Sequence, residues 1–258
     1  MTNRINELFN RKRSGVLSVF YTAGFPKLND TSSIALALEK AGADMIEIGI
    51  PFSDPIADGP VIQQSNKQAL DNGMNVGLLL SQVREIRMQA TLPILLMGYL
   101  NPVLQYGMEK FCEEASQAGV DGLILPDMPM LEYQTHYLPL FERHNLLNTF
   151  LISPTTSEQR IRAMDSITHG FIYAVSSSST TGARTGLSEQ QLQYFQKLQH
   201  MNLVNPFLIG FGISSQESFK EVCQYSSGAI VGSSFINHLE NAGATQESVA
   251  SFVQSIKG

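Results

Sequence analysis

Eight short apolar or β-branched runs recur along the 258 residues, each set off from the next by a longer stretch of helical pattern. The runs fall at 17–23, 45–50, 94–99, 122–126, 149–152, 171–175, 207–210 and 229–232; helical patterns fall between them, for example at 32–41, 109–118, 157–166, 189–199 and 216–225. Strands that alternate with helices pair in parallel, because each helical crossover returns the chain to the same edge. Eight parallel strands are enough to close a sheet into a barrel, and roughly 250 residues is the usual size of one β/α barrel. Lys40-Ala41-Gly42-Ala43-Asp44 and Gln117-Ala118-Gly119-Val120-Asp121 recur at matching places, each reading as a helix ended by a glycine cap before the next strand. The competing doubly wound open sheet is disfavoured, since the first strand-to-helix turn, Thr22-Ala23-Gly24-Phe25-Pro26, lacks the glycine spacing of a dinucleotide fingerprint. The expectation is an α/β chain forming a single (β/α)8, or TIM, barrel domain over residues 1–258. An additional N-terminal helix, near residues 2–13, would plug the barrel bottom or lie alongside it.

With 43% hydrophobic and 16% charged residues, the chain has ample core for such a domain. A formal net charge of −6 argues against nucleic acid or an anionic membrane as partner, so any phosphorylated ligand must be held by local donors. Residues 1–14 are polar without an apolar signal core, and no apolar run approaches the ~20 residues of a membrane span. A cytoplasmic protein is expected, with Cys112 and Cys223 as free thiols.

The second strand, Asp44-Met45-Ile46-Glu47-Ile48-Gly49-Ile50-Pro51, carries the sharpest chemical information. Side chains alternate faces along a strand. Ile46, Ile48 and Ile50 therefore suit the outer helices, and Met45, Glu47 and Gly49 point into the barrel. That sets a carboxylate in an apolar tube, with glycine beyond it to leave room. Desolvation raises the pKa of such a group and makes it a competent proton donor or acceptor. A structural carboxylate paired with a buried arginine is the alternative, although none of the eight strands contains an Arg or Lys.

Active sites of barrels gather at the C-terminal ends of the strands. There, Phe52-Ser53-Asp54-Pro55-Ile56-Ala57-Asp58-Gly59-Pro60 forms a loop with two more acids. Asp54 reads as a turn former. Asp58 suits either a helix cap or catalysis. The seventh and eighth strands end in glycines, Gly210-Phe211-Gly212 and Val231-Gly232-Ser233, where barrels often build a phosphate cup from backbone N–H groups. The polar loop 176–186 suits a plain connector or a lid. Tyr173 points inward by alternation, as core filling or as a site residue. The five histidines lie outside the strands and form no ligand pattern, and no strand holds a lysine. A metal-assisted or Schiff-base aldolase is therefore not expected. Carbon–carbon cleavage would need a substrate that supplies its own electron sink.

The segment Glu47-Ile48-Gly49-Ile50-Pro51-Phe52-Ser53-Asp54-Pro55-Ile56-Ala57-Asp58-Gly59-Pro60 strongly resembles the motif of the tryptophan synthase α subunit family. The likeness extends to Phe20-Tyr21-Thr22-Ala23-Gly24, Leu96-Met97-Gly98-Tyr99-Leu100-Asn101-Pro102, Leu125-Pro126-Asp127-Met128-Pro129, Gly210-Phe211-Gly212-Ile213 and Val231-Gly232-Ser233. The resemblance implies a lyase that cleaves indole-3-glycerol phosphate to indole and glyceraldehyde 3-phosphate in tryptophan biosynthesis. It implies a general acid/base role for Glu47, stabilisation of the indole N–H by Asp58, and a place beside the substrate for Tyr173. Phe20, Tyr99 and Phe211 would enclose the organic portion, and Thr181 would close onto Asp58. Gly182, Gly212, Gly232 and Ser233 would hold the phosphate. No metal or cofactor is implied in this subunit. Pyridoxal phosphate belongs to a partner β subunit in an αββα heterotetramer, which the 51–54 and 101–106 loops would contact. Many relatives carry an arginine and a glycine where this chain has its Ser177–Thr180 run. A noncatalytic phosphate-binding barrel that activates a partner is the alternative reading.

Overall fold

The structure, a computed structural model, describes residues 3–176, 187–210 and 212–258. Its strands are β1 (Val16–Thr22), β2 (Met45–Gly49), β3 (Ile94–Met97), β4 (Gly122–Ile124), β5 (Leu147–Asn148), β6 (Leu151–Ile152), β7 (Ile172–Val175), β8 (Phe207–Gly210) and β9 (Gly228–Val231). They pair in the order β5-β4-β3-β2-β1-β9-β8-β7-β6, every pair parallel. The two ends of that order are one stretch of chain. Leu147 and Asn148 ladder with β4, and Leu151 and Ile152 ladder with β7. Between them, the Thr149 N–H donates to the Leu123 carbonyl and the Tyr173 N–H donates to the Phe150 carbonyl, both at 3.0 Å. Residues 147–152 thus bond to both sides and close a TIM barrel of eight strand positions, the fifth entered two residues earlier than the sequence pattern suggests.

The alternation read on β2 holds. Ile46, Ile48 and Ile50 join the outer layer with helix residues such as Ile34, Leu38 and Val83, whereas Met45 joins an inner cluster with Leu95, Phe171, Tyr173 and Leu208. The helix Arg4–Arg11 plugs the floor. Its Ile5, Leu8 and Phe9 belong to that inner cluster, and the Phe9 and Phe171 rings lie 5.8 Å apart. Gly42 and Gly119 end their helices in the left-handed region, at φ 96° and 90°, which a residue without Cβ adopts freely.

One buried carboxylate secures the floor. Asp121 accepts from Arg4 at 2.8 Å, from Arg87 at 2.9 Å and from the Ile94 N–H at 2.9 Å. At the other end, the segment read as a loop over 101–106 is instead the helix Leu100–Tyr106, with Leu104 exposed. Among the described residues, no helix is long and apolar enough to cross a membrane.

Candidate active site

Glu47 sits on β2 with no solvent exposure. Its Oε1 accepts the Ser18 hydroxyl at 2.7 Å, and its Oε2 is buried without a partner among the described residues. None of the ion pairs among those residues includes it, so no arginine among them pairs with it. Burial pushes its pKa up to about 8, against the opposing effect of the Ser18 hydrogen bond. At neutral pH the group is mainly a neutral acid with a proton to give. The room beyond it is not empty. A Cβ on Gly49 would come within 2.8 Å of Phe20 Cζ, so the missing side chain makes space for the Phe20 ring.

Asp58 lies between β2 and the helix Pro60–Asp71. That helix has Gly59 as its N-cap, with no side-chain cap bond, so Asp58 is not its cap. The carboxylate instead accepts the Tyr99 hydroxyl at 3.2 Å, and that hydroxyl accepts the Ala57 N–H at 3.0 Å. Burial raises the Asp58 pKa, while the Tyr99 hydrogen bond lowers it. Tyr99 therefore braces Asp58, with its ring 5.2 Å from that of Phe52, and does not itself line the cavity described next.

A cavity of about 550 Å³ opens at the C-terminal ends of the strands, and its walls include Phe20, Asp58, Tyr173, Gly212, Gly232 and Ser233. Tyr173, on β7, points inward as alternation requires and serves both inner cluster and cavity wall. A Cβ on Gly210 of β8 would fall on the Tyr173 ring, so that glycine leaves the space the tyrosine fills. Burial, then the negative charge of Glu47 and of Asp58, raises the Tyr173 pKa and keeps its hydroxyl neutral. Opposite these acids, the helix Ser233–Ala242 starts directly after β9 with Gly232 as N-cap and no side-chain cap bond. The Phe235 N–H turns back to the Gly232 carbonyl at 2.9 Å, and the N–H groups before it, with no partner inside the helix, sit at its positive end. With Gly212 at φ 79°, they form a cradle suited to an anion. Ser214 and Asn237 also line this end. A second hollow, of about 600 Å³, lies at the floor beside Phe9, Arg13 and Tyr225; its lining holds no acid.

A sequence model of the tryptophan synthase alpha chain family matches residues 7–257. The chain belongs to that family. It is 51% identical to the tryptophan synthase alpha chain of Parabacteroides distasonis over 255 residues, covering 99% of each. It is 50% identical to that of Flavobacterium psychrophilum, covering 98% of this chain and 99% of the relative. The crystal structure of tryptophan synthase subunit alpha from Legionella pneumophila superposes with a TM-score of 0.90 at 34% identity, over 100% of this chain and 98% of that one. As a tryptophan synthase alpha chain, the protein is a lyase of tryptophan biosynthesis, in a family that needs no cofactor in this subunit.

Among the residues singled out from sequence, the structure brings Phe20, Asp58, Tyr173, Gly212, Gly232 and Ser233 to one cavity, with Glu47 buried on the adjacent strand face. Thr181, Gly182 and Phe211 lie outside the described residues, as does the Ser177–Thr180 run. Sequence reading missed Ser18, Ser214 and Asn237. Ser18 was findable by alternation, two residues before Phe20 on the same strand face. Asn237 was findable one helical turn after Ser233.

Proposed function

We propose that residues 1–258 act as one catalytic domain in which Glu47, Asp58 and Tyr173 carry out the retro-aldol cleavage of indole-3-glycerol phosphate. Glu47 gives its proton to indole C3, using the C2=C3 electrons, and the ring nitrogen supplies its lone pair to form C=N. Asp58 stabilises the positive charge at the N–H. The carboxylate left on Glu47 then removes the proton of the glycerol hydroxyl next to the scissile bond. The carbonyl of glyceraldehyde 3-phosphate forms, the C–C bond breaks, and its electrons restore C2=C3 and the nitrogen lone pair. Indole leaves neutral. Tyr173 borders the ring beside Phe20, while Tyr99 acts through Asp58. Gly212, Gly232 and Ser233 hold the phosphate, joined by Gly182; Thr181 closes onto Asp58, and Phe211 helps enclose the glycerol.

The observation that carries this reading is a buried carboxyl with one oxygen unpartnered among the described residues, pushed up to about 8, next to a cavity that ends in a helix N-terminus. Acid and anion cradle are what a phosphorylated substrate with a protonatable ring requires. The partner in this reading is a pyridoxal-phosphate β subunit in an αββα complex, and the compartment is the cytoplasm. Exposed Ile56, Leu104 and Leu131, on loops and helices that follow β2, β3 and β4, support a docking face at the barrel mouth. Indole release from indole-3-glycerol phosphate, measured without added cofactor and then with the β subunit, tests the proposal. Activity that rises with the partner is expected; no release under either condition would leave only the noncatalytic alternative.

A further inference from the structure

We propose that Ser18 is the positioning residue of the proton donor, its hydroxyl tying down Oε1 of Glu47 so that Oε2 carries and delivers the proton. The inference rests on the reading of Glu47 as general acid. Ser18 and Glu47 lie on neighbouring strands, both without solvent exposure, and the β1–β2 register sets Phe20 opposite Glu47 and Ser18 opposite Met45. The Ser18 hydroxyl thus meets the carboxyl diagonally, from the floor side, while Phe20 fills the space over Gly49. Among the described residues, Glu47 is the only hydrogen-bond partner of the Ser18 hydroxyl.

A hydroxyl has one hydrogen. Spent on Oε1, it marks that oxygen as the acceptor, and the acid proton belongs on Oε2. The terminal torsion of a glutamate is broad and roughly two-fold, so without this bond the two oxygens exchange places freely. The same hydrogen bond favours the carboxylate that remains after proton transfer, which eases release of the proton. Among the described residues, Tyr173 of β7 feels the charge of Glu47 and also that of Asp58, and neither Tyr173 nor Asp58 supplies a positive charge. Ser18 does not line the cavity, so its effect on substrate is indirect.

The test compares Ser18→Val with Ser18→Thr, side chains of similar volume that differ in the hydroxyl, with Ser18→Ala as a smaller variant that cannot crowd the interior. Each is assayed for indole release with saturating β subunit, beside Glu47→Gln. Expected are a kcat loss of roughly 10- to 100-fold for the valine and alanine variants, KM within about twofold of the parent, and an alkaline limb of kcat/KM moved to higher pH. The threonine variant recovers most of the loss. Equal losses with threonine and valine, or an unmoved pH limb with unchanged kcat in the alanine variant, would overturn the proposal while an inactive Glu47→Gln leaves the role of Glu47 standing. An active Glu47→Gln would instead remove the general acid itself, and the inference with it.

Discussion

Asp121 and Glu47, two of the three carboxylates buried among the described residues, are treated in opposite ways. At the floor, Asp121 meets two guanidinium groups and a backbone N–H. Higher up the same tube, Glu47 has one serine hydroxyl, no cation among the described residues, and an oxygen with no partner. Compensation on every side makes Asp121 a fixed joint between the plugging helix, β3 and β4. The lack of it makes Glu47 a store of reactivity, since only a group that is poorly served in its charged form keeps a proton near neutral pH. The difference teaches that burial alone does not mark a working acid; burial that leaves a carboxyl oxygen without a partner does.

The contrast predicts a crossed pair of phenotypes. Glu47→Gln should lower kcat for indole release by roughly 10²–10⁴-fold, while its thermal unfolding midpoint stays at or above that of the parent. Asp121→Ala should do the reverse. It strands a largely buried Arg87 and should cost about 3–5 kcal/mol of stability in denaturant unfolding, with kcat per folded molecule close to normal. If Asp121→Ala abolished turnover in molecules shown to be folded, the division between joint and acid would be wrong.

A smaller effect follows from linkage. The folded-state pKa of Glu47, about 8, lies above its ordinary value of 4.5. Folded protein therefore holds a proton that unfolded chain releases between those values, and the contribution of Glu47 to stability falls as pH rises through that window. Glu47→Gln lacks this loss. The variant should gain on the parent between pH 4.5 and pH 8, on the order of 4 kcal/mol at the upper end, as measured by urea unfolding across the range. In the same window, kcat/KM of the parent should hold level and then decline above about pH 8, because the free enzyme loses its acid there. The smallest change is Arg4→Ala. Arg4 is 40% exposed in its pair with Asp121, so its removal should cost about 1 kcal/mol or less, and a loss as large as that of Asp121→Ala would show that the floor depends on Arg4 rather than Arg87.

Much of this was legible in the residues themselves. The eight alternating units, the inward face shared by Met45 and Glu47, and the paired glycines at the last two strand ends follow from periods of 2 and 3.6 and from the freedom of a residue without Cβ. The fourteen-residue run from Glu47 to Pro60 was enough to suggest the family. The roles of particular polar groups were less legible, because spacing along the chain says little about a neighbour on another strand. Asp58 had the spacing of a helix cap, yet its carboxylate pairs with Tyr99, 41 positions away, and Gly59 takes the cap. Residues 101–106, read as a loop, form a turn of helix beside the mouth.

By itself, then, the amino-acid order determined which faces are apolar, how many strands there are, and that a carboxylate must enter a dry interior; local period and backbone sterics suffice for those. Only the closed tertiary structure decided what that carboxylate meets. Closure through residues 147–152 and the parallel register of β1 against β2 bring Ser18 to Glu47 and, among the described residues, set no cation beside it. The proton affinity of a buried group is set by neighbours across space, and the chain acquires those neighbours only when the barrel shuts.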